Sequence, residues 1–112
     1  MHLSIGSIKE AVCTEFGASD DIFIEKDDHP HKNYLRNIVM YLASEKGGFS
    51  HDTIGLYMGS RDQDTVESGI NTLKRLIKKN HSVRERVAKI RDKAIEIELQ
   101  SRQVSAPKQE LA

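Results

Sequence analysis

The sequence predicts an all-α fold, one small helical domain containing a helix-turn-helix. Three observations predict it. Apolar residues recur at three- and four-residue spacing along most of the chain, the period of a helix packed on one face. No stretch alternates with the period of two that a half-buried strand requires. Between two of the helical stretches, Gly59 and Ser60 make a tight turn just before Asp62, whose carboxylate can accept a hydrogen bond from the free N–H of Asp64 or Thr65 and start a new helix.

The elements follow in order. Ile5, Ile8, Val12 and Phe16 define a first helix; Ser7 and Glu10 have the form of a capping box, although a start nearer Ser4 also fits, and Gly17 ends it. Asp20, Asp21, Ile22, Phe23 and Ile24 offer a short turn whose apolar residues tuck under the core. Residues 25–31 read as a loop, because Pro30 cannot continue a helix from upstream and biases His29 away from helical geometry. Leu35, Ile38, Val39 and Leu42 mark an amphipathic helix from residue 31 or 32 to 46, stopped by Gly47 and Gly48. Ser50 caps the next, short helix over 50–58, with Phe49 placed to pack on Ile54 as a hydrophobic staple. After the Gly59 turn, Val66, Ile70, Leu73 and Ile77 form the buried stripe of a long helix over 62–80. Ser82 and Glu85 give a second capping box, opening a last helix with Val83, Val87, Ile90, Ala94 and Ile97 inward. The pattern fades near Gln100, and with Pro107 beyond, residues 1–100 are expected to be the domain and 101–112 a frayed tail.

Composition narrows the function. A chain of 112 residues suits one domain and can bury roughly 65% of its unfolded surface. The 17 basic and 17 acidic residues cancel, but unevenly: residues 10–28 are mostly acidic, whereas Lys74, Arg75, Lys78, Lys79, Arg84, Arg86, Lys89, Arg91 and Lys93 make the later part basic. Cys13, the only cysteine, excludes an internal disulfide and reads as a buried or half-buried thiol. No apolar run approaches the roughly 20 residues that span a bilayer, and the N-terminus lacks the apolar segment of a signal peptide. A cytoplasmic protein without membrane contact is expected, and Met1 suggests a small separate protein. No serine-histidine-acid order, carboxylate pair or activated cysteine supports an enzyme. Asp27, Asp28, His29 and His31 form a compact metal-like cluster, but its spacing matches no ligand motif, and no metal or other cofactor is expected.

The central segment Gly59-Ser60-Arg61-Asp62-Gln63-Asp64-Thr65-Val66 is similar to the Gly-Gly-Arg-Asp-His-Thr-Thr-Val signature of the C-terminal DNA-binding domain of DnaA, the bacterial chromosomal replication initiator. Arg36-Asn37, the apolar run Met40-Tyr41-Leu42-Ala43, and Ser50 with Ile54-Gly55 also match, and the resemblance runs from about Ile5 to Lys93. It implies a Trp-repressor-like helix-turn-helix that reads a short duplex site and acts in replication or transcription regulation in a bacterium. The family's arginine, aspartate, histidine and threonine at the start of the recognition helix approach bases and backbone; here Arg61 and Asp62 are kept, while Gln63 and Asp64 replace histidine and the first threonine. The family's minor-groove arginine falls at Tyr34, with Leu35 in place of the adjoining proline. The usual target sequence is therefore not expected. The initiator's ATPase domain is absent from this sequence: no Gly-x-x-x-x-Gly-Lys-Ser/Thr loop occurs, so no nucleotide is expected.

The candidate DNA-binding residues are Arg36, Lys46, Ser50, His51, Thr53, Arg61, Asp62, Gln63, Asp64 and Thr65. Gln63 can pair with adenine N6 and N7, and Asp64 can accept from cytosine N4 or simply favour the helix dipole. Arg61 can serve guanine, a phosphate or a nearby carboxylate such as Asp64. Ser50 and Thr53 can donate to phosphate or act as caps, with Lys46 and His51 adding to that surface. Arg36 and Lys32 can bind the DNA backbone or remain plain surface charges. The competing expectation is a protein-protein interaction module that kept the fold and lost DNA reading, motivated by the acidic N-terminal third, Asp64 and Tyr34.

Overall fold

Side-chain caps set most of the helix starts. The computed structural model describes residues 2–111, with side chains through Arg102. Its elements are α1 (Ile5–Phe16), a 3-10 turn (Asp20–Phe23), α2 (Pro30–Glu45), α3 (His51–Tyr57), α4 (Gln63–Lys79) and α5 (His81–Leu111). The hydroxyl of Ser4 accepts from Ser7 N–H at 3.1 Å, that of Ser50 from Thr53 N–H at 3.3 Å, and the carboxylate of Asp62 from Thr65 N–H at 2.8 Å. Each satisfies a donor that the first helical turn leaves free.

Three local expectations are corrected. Ser4, not Ser7, caps α1; Ser7 is nearly buried and its hydroxyl donates to Glu98 Oε1 at 2.8 Å, tying α1 to α5. Pro30 is the first residue of α2 rather than part of a loop to His31, a position where its missing N–H costs nothing. The last helix starts at His81 under Asn80, whose side chain accepts from Val83 N–H at 3.2 Å, so Ser82 is left exposed on its first turn. From Gln103 onward, the tail expected over 101–112 lies outside the described side chains.

The all-α prediction agrees with the structure, which has no strand among the described residues. α2 is the hub: it packs on α4 most extensively, and also on α1, α3 and the 3-10 turn, while α5 covers α1 and α4. Ile38 and Val39 of α2, Ile54 of α3 with Met58 just past its end, and Val66 and Leu73 of α4 are fully buried in one core. Burying side chains of this size contributes roughly 1.5–3 kcal/mol each before entropy is subtracted. That core fixes α3 and α4 against α2, so the α3–α4 turn sits on a rigid base.

Candidate nucleic-acid interface

The turn between α3 and α4 is made by close backbone contacts. The Gly55 carbonyl accepts from Met58 N–H at 3.1 Å and from Arg61 N–H at 3.0 Å, folding the chain back on the end of α3. A Cβ on Gly55 would overlap the Arg61 carbonyl oxygen. Gly59, at φ 73°, lies so close to the 3-10 turn that a Cβ there would stand 2.8 Å from the Ile24 backbone. Ser60 follows at φ 61°, the only non-glycine residue in the left-handed region among the described residues.

Past the turn, Gln63, Asp64 and Thr65 are exposed on the first turn of α4, while Val66 is buried and anchors it. Asp62 is also exposed, but its carboxylate serves as the cap; the Thr65 amide is the main cause holding its pKa below the ordinary value. An open groove of about 560 Å³ runs between this end of α4 and the start of α2, lined by Asp64, Thr65 and Thr72 on one side and Asn37 on the other. Lys26, Asp27 and Asp28 line it too, with Asp27 already paired to Lys32 and Arg36. Asn37, Ser68 and Thr72, polar groups lining this groove, were not among the expected contacts, and only the helical period of α4 could have placed Ser68 and Thr72 beside Asp64.

Arg36 requires a correction. It is 1% exposed. Its Nε donates to the Ile22 carbonyl at 2.6 Å, Nη1 to Asn33 Oδ1 at 2.8 Å and to the Asp27 carbonyl at 3.2 Å, and Nη2 to Asp27 Oδ1 at 3.2 Å. A buried guanidinium so engaged has no arm free for a phosphate, and Arg36 is an internal strut. Arg61 is half-buried and also turned inward: Nη1 donates to the carbonyls of Phe23 at 2.7 Å and Met58, and Nη2 to that of Glu25 at 2.6 Å. Burial, then the charge of Arg36, lowers its pKa. Asp64 is not its partner. Lys32 pairs with Glu25 at 3.0 Å and Asp27 at 3.1 Å.

The remaining candidates separate into two places. Ser50, His51 and Thr53 occupy the start of α3, where the Ser50 hydroxyl also donates to Thr53 Oγ1 at 3.0 Å. Lys46 is exposed and lines a cleft with Ile77, Arg84 and Arg91, beside the C-terminal half of α4. Tyr34 lies edge-on to Phe16, ring centroids 5.9 Å apart, with Arg86 over the other ring, and burial raises its pKa. The metal-like cluster does not assemble: among the described residues no three histidine, cysteine, aspartate or glutamate side chains converge. Cys13 is half-buried, and burial pushes its thiol pKa up.

The basic run divides on folding. Arg86 and Lys89 pair with Glu15 at 3.1 and 3.6 Å, Arg91 with Asp92 at 3.1 Å and Lys93 with Glu96 at 3.6 Å. Arg84 donates to the Ile77 and Lys78 carbonyls and closes the end of α4. Lys74, Lys78 and Lys79 are exposed and make no ion pair among the described residues.

Two helices joined by a tight turn, the second opening on an exposed polar first turn, define a helix-turn-helix protein. The family model for the bacterial DnaA protein helix-turn-helix matches residues 5–73, and the chain belongs to that family. It is similar to the chromosomal replication initiator protein DnaA of Chlorobaculum tepidum, 33% identical over 96 residues, which is 86% of this chain and 19% of the relative. The chain thus spans about a fifth of the relative it matches, and the family match ends within α4. No helix among the described residues is long and apolar enough to cross a membrane.

Proposed function

We propose that this chain is a non-enzymatic binder of double-stranded DNA, with α3 as the positioning helix, α4 as the reading helix, and a base preference moved away from that of its relatives by Gln63 and Asp64. The observation that carries this reading is the exposed, capped first turn of α4 in a chain of the DnaA helix-turn-helix family. Gln63 can pair with adenine through N6 and N7, and Asp64 can only accept, which favours cytosine N4; each contact is worth roughly 1–3 kcal/mol of discrimination. Ser50 and Thr53 lie at the start of α3, where their hydroxyls can meet a phosphate, and Lys74, Lys78 and Lys79 supply charge that makes no ion pair among the described residues. Control of replication or transcription is the process such a module serves.

Selection from a random duplex pool at low salt tests it. An enriched sequence is expected, and Asp64→Thr should shift the preferred base at one position by roughly 1–3 kcal/mol. Folded protein that enriches nothing removes the proposal.

A second reading, a protein-interaction module, is favoured by Leu56 and Tyr57, adjacent on α3 and 72% and 55% exposed. Apolar side chains presented together suit a protein contact more than a phosphate backbone. A protein partner captured by the wild type and lost in Leu56→Asp, with no DNA selected, would establish that reading instead.

A further inference from the structure

The segment 22–27 is gripped from two sides. Its carbonyls at Ile22 and Asp27 are taken by Arg36, which belongs to α2. Those at Phe23 and Glu25, between them, are taken by Arg61, which belongs to the α3–α4 turn. Lys26 of the same segment returns a bond to the Gly59 carbonyl, and Gly59 rests against the Ile24 backbone. Arg61 also closes on Met58 at the end of α3. One planar guanidinium therefore joins the end of α3, the 3-10 segment and the residue just before the Asp62 cap. A rigid fork holding several carbonyls resists rotation in a way that a single point contact does not. Arg61 lies two residues before Gln63, so any change in the Arg61 backbone moves the first turn of α4.

We infer that Arg61 is a positioning residue of the reading head: clasped to the Phe23, Glu25 and Met58 carbonyls, it sets how α4 presents Gln63, Asp64 and Thr65 to a duplex, and it does not itself bind phosphate or base. This rests on the DNA-binding reading above. It assigns the one basic residue of the Gly59–Val66 signature to internal geometry, and it makes 22–27 a structural part of the reading head although that segment bears no expected contact.

The test measures affinity of the full chain for its selected duplex across a salt series, with Arg61→Ala and Arg61→Lys beside the wild type. Lysine keeps the charge but cannot span the separate carbonyls. Both variants should lose about tenfold or more in affinity, with log affinity against log salt parallel to the wild type. In the free protein, both should speed amide hydrogen exchange over residues 59–65 while the Ile90 and Ala94 amides stay protected. In wild-type NMR spectra, the Arg61 Nη–H signals should be unmoved by the duplex while the Gln63 and Asp64 amides shift. The inference is overturned if Arg61→Lys binds like the wild type, or if Arg61→Ala lowers the salt slope by about 0.9. It is equally overturned by movement of the Arg61 side-chain signals on duplex addition, a measurement independent of whether either variant folds. Failure of the folded wild type to bind any duplex would count against the DNA reading; unchanged exchange over 59–65 in both variants would then count separately against the clasp.

Discussion

The first turn of α4 carries Gln63 and Asp64 under the Asp62 cap and no cation of its own, whereas the C-terminal half of the same helix carries Lys74, Lys78 and Lys79 without ion pairs among the described residues. The first end is held in place: Arg61 grips three carbonyls, Gly55 leaves room for the returning backbone, and Val66 is buried. The second end is held by its core stripe and by Arg84, which donates to the Ile77 and Lys78 carbonyls, and its lysines are exposed. Geometry and charge, the two things a DNA reader must supply, thus come from opposite ends of one helix. Sequence discrimination should then respond to changes near the turn, and salt dependence to changes near Lys74 and Lys78.

The largest way to break this contrast is to remove the strut beneath the held end. Arg36→Ala strands four acceptors around a buried cavity and should cost about 3 kcal/mol or more, read as a fall in Tm of roughly 10–20 °C. A fall of only a degree or two would mean that water replaces the guanidinium and that the held end needs no strut. The charged end is sharpened by two double variants. Lys74→Ala with Lys78→Ala should lower the salt slope by about 1.8 if both meet phosphate. Lys89→Ala with Lys93→Ala, whose lysines are already paired to Glu15 and Glu96, should leave the slope unchanged.

Smaller effects lie in the turn and its supporting loop. Ser60 sits at φ 61°, where a side chain costs about 1–2 kcal/mol. Ser60→Gly gives back part of this by loosening the unfolded chain, so a gain of about 0.5–1 kcal/mol is expected in denaturant titration. The smallest is an acid response. The His29 amide first, then Lys32 and Arg36, hold the Asp27 carboxyl down at about 2 from its ordinary 3.8. A depressed carboxylate contributes stability above its unfolded pKa and loses it as pH falls toward the folded one. Stability should therefore decline between about pH 4 and pH 2, and Asp27→Asn should flatten that decline; identical acid titrations would show that the loop ties are solvent-screened to nothing.

The helical pattern made much of this architecture legible. Ile5 and Ile8, Leu35 and Ile38, and Val66 and Ile70 place their helices by period alone, and Ser50 and Asp62 cap where short polar side chains before an apolar run should. Pro30 misled because a residue that cannot continue a helix can still begin one. The site was read less well. Arg36 and Arg61 look like surface charges, since sequence shows a charge but not the carbonyls folded around it. The segment 22–27, which supplies most of those carbonyls, has no period to announce it. The pairing of Arg86 and Lys89 with Glu15, across 71 residues in the case of Arg86, is equally invisible before α1 and α5 are packed together.

The most direct measurement is a map of backbone amide shifts on adding the selected duplex to the full chain. If α4 reads the duplex, the largest shifts fall at Gln63, Asp64 and Thr65, with a second group at Ser50, His51 and Thr53 and small ones in α1. Shifts confined to α1 and α5, with the first turn of α4 unmoved, would contradict that assignment.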